Sequence, residues 1–164
     1  MAETRTQQED KKLNQDTTPG APDSSTAVPS QGTKLEYRKQ DEDDSNFAEV
    51  ANFTDISSFT GSANLVDVTR LNSKGREKKR GMQDWGQVTI ALHVNMKDRS
   101  HQALFNARKD GSILRFKLTL SDRTVITFDA HVKDFPIAAK IDQMLASSVN
   151  LEVSGDLEVI FPNS

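Results

Sequence analysis

The residues with the densest chemistry are cations. Lys74-Gly75-Arg76-Glu77-Lys78-Lys79-Arg80 lies in a stretch, residues 70–80, with six Lys/Arg and a single acid, Glu77. That local +5 stands in a chain whose net charge is −3. Such a cluster can hold phosphates through counterion release, dock on an acidic protein face, or simply be a solvated hairpin tip. Trp85 is the one aromatic near it, which is little for a surface that stacks on bases. An acidic run, Asp41-Glu42-Asp43-Asp44, supplies the opposite charge. It lacks the ligand offsets and the bend glycine of a calcium loop.

Other chemistry is missing. The chain has no cysteine, which excludes disulfides, thiol catalysis and cysteine-bound zinc. His93, His101 and His131 are too scattered to form a ligand set, and His101 reads as structural or solvated. No nucleophile elbow, phosphate-binding glycine loop or metalloprotease helix occurs. A catalytic site needs a base, acid or nucleophile held in register. The expectation is a protein that is no enzyme and takes no cofactor or metal.

The 164 residues are only 35% hydrophobic, and the deficit is concentrated. Residues 1–31 hold six apolar residues, three of the five prolines and no aromatic, a composition expected of a flexible N-terminal arm. Residues 32–164 are then one domain, large enough for a single core. No apolar run is long enough to cross a membrane as a helix, and the N-terminus lacks the apolar core of a signal peptide. The expectation is a soluble, cytosol-made protein with no membrane partner.

The remaining elements follow from periodicity. Lys34–Arg38, Phe47–Val50 and Ser62–Leu71 read as strands, with Asn52–Gly61 a turn-rich connection between the last two. Residues 72–84 read as a long loop joining Ser62–Leu71 to the strand 87–95, a long hairpin. In 87–95, Val88, Ile90, Leu92 and Val94 alternate with polar residues. Asp98 is an N-cap, and His101, Leu104, Phe105 and Arg108 fall at helical spacing before Gly111. A hairpin follows, with Leu114, Phe116 and Leu118 inward on one strand and Phe128, Ala130 and Val132 inward on the next. Met144–Val153 reads as a strand, Gly155-Asp156 as a turn, and Leu157–Phe161 as a last strand. The fold class is mainly β, a sandwich or barrel-like domain with one flanking helix.

The order of these pieces resembles a known family. Asp55-Ile56-Ser57, Gly61-Ser62 and Val66-Asp67-Val68-Thr69 look like the opening of the tail tube proteins of long, flexible-tailed phages (siphophages). The loop 72–84, Gly86-Gln87-Val88-Thr89-Ile90, Gln102-Ala103-Leu104, the hairpin 113–132 and Val153-Ser154-Gly155 follow in the family's order. The resemblance runs over residues 33–162; Ser121-Asp122-Arg123 replaces the family's common Pro-Asp-Gly turn.

The resemblance implies a β-sandwich related in architecture to type VI secretion tube proteins. It implies rings, most simply hexameric, whose sheets join edge to edge and which stack into a tail tube that conducts DNA into the host. The loop with Lys74, Gly75, Arg76, Lys78, Lys79, Arg80 and Trp85 would contact the next ring. Strand parity nominates Asp67, Thr69, Thr89, Asp129 and Glu152 for the lumen wall, where DNA would pass without specific binding. Partners would be further copies of the chain and other tail proteins (tape measure, terminator, distal tail). The location would be the virion, after assembly in the host cytoplasm. Two readings remain beside it: a β-domain that binds nucleic acid or another polyanion through 74–80, and a tail terminator or secretion tube ring protein.

Overall fold

In a computed structural model, residues 27–163 are described. Most of the expected arm, residues 1–26, lies outside the described residues. Among them are nine strands, one α-helix and a single 3-10 turn (Asp44–Asn46): β1 (Lys34–Lys39), β2 (Ala48–Glu49), β3 (Phe53–Ile56), β4 (Ala63–Asp67), β5 (Lys78–Gln83), β6 (Gln87–His93), α1 (Arg99–Asp110), β7 (Ile113–Thr119), β8 (Val125–Asp134) and β9 (Ala146–Ile160).

Seven strands form one antiparallel sheet in the order β2-β1-β7-β8-β9-β6-β3. Its two outermost strands, β2 and β3, are separated in sequence only by Val50–Asn52. A flat seven-stranded sheet would hold its edges about 29 Å apart, and so short a link spans at most about 14 Å. The sheet must therefore curl into a half-barrel, with the link 50–52 joining one corner of β2 to one corner of β3. Val50 N–H donates to the Leu35 carbonyl of β1 at 2.8 Å, and His93 N–H of β6 donates to the Asn52 carbonyl at 3.0 Å. Asn52 takes a positive φ of 54° at this seam, a conformation asparagine tolerates.

The alternating residues fill the inside of the curl. Leu35, Val88, Ile90, Leu92, Leu114, Phe116, Phe128, Ala130, Val149 and Leu151 are all buried. Phe116 stacks on Phe128, and Phe59 meets Phe128 edge-on at 5.4 Å between centroids. Helix α1 adds Leu104 and Ala107 to the same core.

The helix also fastens the seam. His101 is fully buried; its Nδ1 accepts from Asn95 N–H at 2.8 Å. A backbone N–H can only donate, so Nε2 carries the proton and donates to the Ala51 carbonyl at 2.7 Å. Ala51 N–H donates to Ser100 Oγ, which in turn donates to Asp98 Oδ1. Asp98 is thus both the N-cap of α1 and the residue that orients Ser100. The Ser100 hydroxyl, and then the Ser100 backbone N–H, hold the Asp98 carboxyl below the usual carboxylate range. A carboxylate depressed by folding contributes stability above its unfolded value near ~4, and that contribution is lost as pH falls through the lower folded value. Asp98→Ala should cost about 1 kcal/mol at neutral pH. The cost should shrink below about pH 4, as measured by urea titration of both proteins across that range.

Three strand assignments from sequence need correction. Residues 53–56 are not turn but a strand, β3, at the edge beside β6. The strand at 63–67 does not pair with 87–93; it pairs with Lys78–Gln83, inside the segment read as loop, in a separate two-stranded sheet. The partners of β6 are β3 and β9. Gly155-Asp156 is not a turn: β9 runs unbroken for 15 residues and shifts register there against β8, with Gly155 at φ +84°.

Candidate assembly interface

The β4–β5 hairpin is built from a base that only glycine permits. Gly61 N–H donates to the Trp85 carbonyl at 3.0 Å, and Asp84 N–H to the Ser62 carbonyl at 3.3 Å. A Cβ on Gly61 would sit 1.9 Å from the Asp84 carbonyl oxygen. Gly86 has φ +67° and lies against Gly61 in turn. Trp85 secures this base to the barrel: its indole N–H donates to Asp156 Oδ1 at 2.8 Å, and its ring meets Phe59 edge-on. That indole bond, and then the Leu157 N–H, lower the Asp156 carboxyl from its ordinary value.

Beyond the base, cross-strand pairs are Leu65 with Arg80, Val66 with Lys79 and Asp67 with Lys78. Each face of the hairpin therefore carries an apolar residue beside a cation. Asp67 Oδ1 accepts from the Thr69 hydroxyl and N–H, which lower its pKa and close the strand end. Lys74, Gly75 and Arg76 lie in the exposed tip. Leu65, Val66, Leu71 and Met82 are also exposed, Met82 at 87%. A two-stranded ribbon is marginal in water without something packed on it. Sequence patterning missed these four as interface residues because short apolar alternation looks the same whether a core or a partner covers it.

The second surface is the polar face of the main sheet. Cross-strand registers align Glu36, Lys117, Thr127 and Glu158 in one row, and Arg38, Arg115, Asp129 and Ser154 in the next. Lys117 Nζ lies 3.0 Å from Glu36, and Arg115 lies 3.2 Å from Glu158 and 3.9 Å from Asp129. Glu152 faces His131 and Gln87 in register. Thr89 Oγ1 donates to Asn150 Oδ1 at 2.7 Å. Glu36, Asp129, Glu152 and Glu158 share this face with Lys34, Arg38, Arg115 and Lys117, so its charges balance and much of the acid is paired.

The structure thus brings Thr89, Asp129 and Glu152 together on one polar sheet face. It puts Asp67 and Thr69 elsewhere, on the hairpin. Lys78, Lys79 and Arg80 are strand residues of that hairpin, and Trp85 is its half-buried anchor. No group of three or more His, Cys, Asp or Glu among the described residues could hold a metal ion. No helix among them is long and apolar enough to cross a membrane.

The sequence model of the lambda-like phage tail tube proteins matches residues 26–122, from the start of the described chain through β7 and including the hairpin. The chain belongs to this tail tube family. Its role is therefore structural, as a component of a phage tail. Among curated proteins nothing matches the chain. Solved structures share the fold at low identity. The tail of an empty gene transfer agent particle, refined with C6 symmetry, superposes with a TM-score of 0.64 at 15% identity, covering 82% of this chain and 99% of that one. The SPP1 tail tube gives 0.64 at 12% identity, covering 84% and 81%. The sheath-tube complex of an extracellular contractile injection system gives 0.56 at 11%, covering 84% and 93%. The tail tube resemblance seen in the sequence and the β-rich, barrel-like class both hold.

Proposed function

We propose that this tail tube protein assembles into hexameric rings that stack into a tube, the conduit for DNA ejection. The observation that carries the reading is the β4–β5 hairpin. It stands off the barrel on a rigid glycine base and exposes apolar and cationic side chains with no cover of their own. Six-fold order is supported by the C6 tail that shares the fold. The hairpin with Lys74, Arg76, Lys78, Lys79 and Arg80 is the stacking element, and Trp85 positions it. Thr89, Asp129 and Glu152 face the lumen, where the cations are matched by acids and no net positive charge holds phosphates. Other copies of the chain and the tape measure, terminator and distal tail proteins are its partners, in the virion after cytoplasmic assembly.

Sedimentation of the concentrated protein tests ring formation. The expected boundary is a species six times the 18.2 kDa subunit, or larger multiples of it. A boundary fixed at one subunit over a hundredfold concentration range contradicts the ring. Titration with duplex DNA separates the polyanion reading: tight, salt-sensitive binding by the isolated subunit would favour it.

A further inference from the structure

Strand polarity gives the barrel two unlike ends. In the order β1-β7-β8-β9-β6 every neighbour is antiparallel, so β1, β8 and β6 run the same way. The hairpin leaves the sheet at the N-terminal end of β6. The C-terminal ends of β6, β8 and β1 lead into the opposite end, which holds residues 94–98, the 135–145 crossover, the turn 40–47 and α1.

That opposite end has its own uncovered features. Ile137, Ile141, Met144 and Leu145 of the crossover are exposed, Ile141 at 93%. Such large apolar side chains clustered on one loop mark a contact surface. The acidic turn Asp41–Asp44 stands at the same end and is held rigidly. Arg38, 6% exposed, donates through Nη1 to the Lys39, Gln40 and Glu42 carbonyls and through Nη2 to Asp44. The side chains of Asp41, Glu42 and Asp43 are left at the surface. Segments 40–47, 94–98 and 134–145 together carry seven acids and two lysines, whereas residues 63–83 carry six cations and two acids.

We propose that this helix end is the seat for the β4–β5 hairpin of a second copy. The ribbon is gripped on both faces, since Leu65 and Lys78 point opposite to Val66 and Lys79: the Ile137/Ile141/Met144 crossover covers Leu65, Val66 and Met82, and Asp41 and Asp43 pair with Lys78 and Lys79. The inference rests on the stacking reading and names the acceptor. A plug at one end and a socket at the other form a heterologous contact, which propagates as an open stack instead of closing on itself. The match is double: an apolar, basic ribbon meets an apolar, acidic end.

Charge exchange in the full-length chain tests it. Lys78→Glu with Lys79→Glu should raise the concentration needed for stacking at least about tenfold, and so should Asp41→Lys with Asp43→Lys. The chain carrying all four substitutions should regain most of the loss. The residues are exposed, so near-wild-type thermal melts are expected of every variant. Carbodiimide coupling of the unaltered assembled protein, mixed from isotopically light and heavy chains, should join Lys78 or Lys79 of one copy to Asp41 or Asp43 of another. Tubes that form without these cross-links, together with no recovery in the fourfold variant, overturn the acceptor while leaving stacking intact. An unaltered chain that never associates overturns both.

Discussion

Gly61→Ala should leave the barrel folded and weaken ring stacking at least about tenfold. The new Cβ would lie 1.9 Å from the Asp84 carbonyl oxygen and 2.2 Å from the Trp85 carbonyl carbon. Both are backbone atoms, so no side-chain rotation relieves the clash. The Gly61–Trp85 hydrogen bond must break, and the hairpin loses the base that aims it. The sheet itself is not touched, because β4 and β5 belong to a separate two-stranded ribbon. The expected outcome is a melting temperature within a few degrees of the unaltered protein and association weakened by at least about tenfold. The chain's one tryptophan is the anchor, so its emission should shift to the red as the Trp85–Asp156 bond is lost. Gly75→Ala is the control: nothing lies within 4 Å of a Cβ there, and it should change neither readout. Undiminished assembly by the Gly61 variant would separate hairpin geometry from stacking.

His101→Ala is expected to have the largest effect on folding. The imidazole joins Asn95 N–H to the Ala51 carbonyl in the link that connects the two edge strands of the sheet. Its removal leaves two polar backbone groups without a partner and a cavity in a fully buried site. The cost should be about 2–4 kcal/mol, a large part of the ~5–15 kcal/mol that holds a domain of this size. Urea unfolding would show a lower midpoint with an unchanged slope. A loss below about 0.5 kcal/mol would mean that the seam does not depend on the helix.

How much of this was legible in the residues depends on what covers each element. β1 and β6 through β8 alternate cleanly because one face of each is buried in the core. The helix announced itself through the Asp98 cap and Gly111. β3 was hidden, since Phe53-Thr54-Asp55-Ile56 is short and its apolar residues stand three apart. β5 was hidden for a stronger reason: Lys-Lys-Arg-Gly-Met-Gln has no core face, and it is a strand because β4 lies beside it. Gly155-Asp156 has turn chemistry, yet the glycine serves a register shift within one long strand. Parity grouped Asp67 and Thr69 with Thr89, Asp129 and Glu152 because periodicity assigns a face but not a sheet. The cations at 74–80 are conspicuous in the sequence, whereas the exposure of Leu65, Met82 and Ile141 is visible only in the fold.

The central claim is that the chain builds a tube from itself. Negative-stain electron microscopy of the concentrated, incubated full-length protein tests it most directly. Rings with a central channel, and stacks of such rings, are the predicted result. A field of single small particles at every concentration, including at low salt where the charge pairing is strongest, would contradict it.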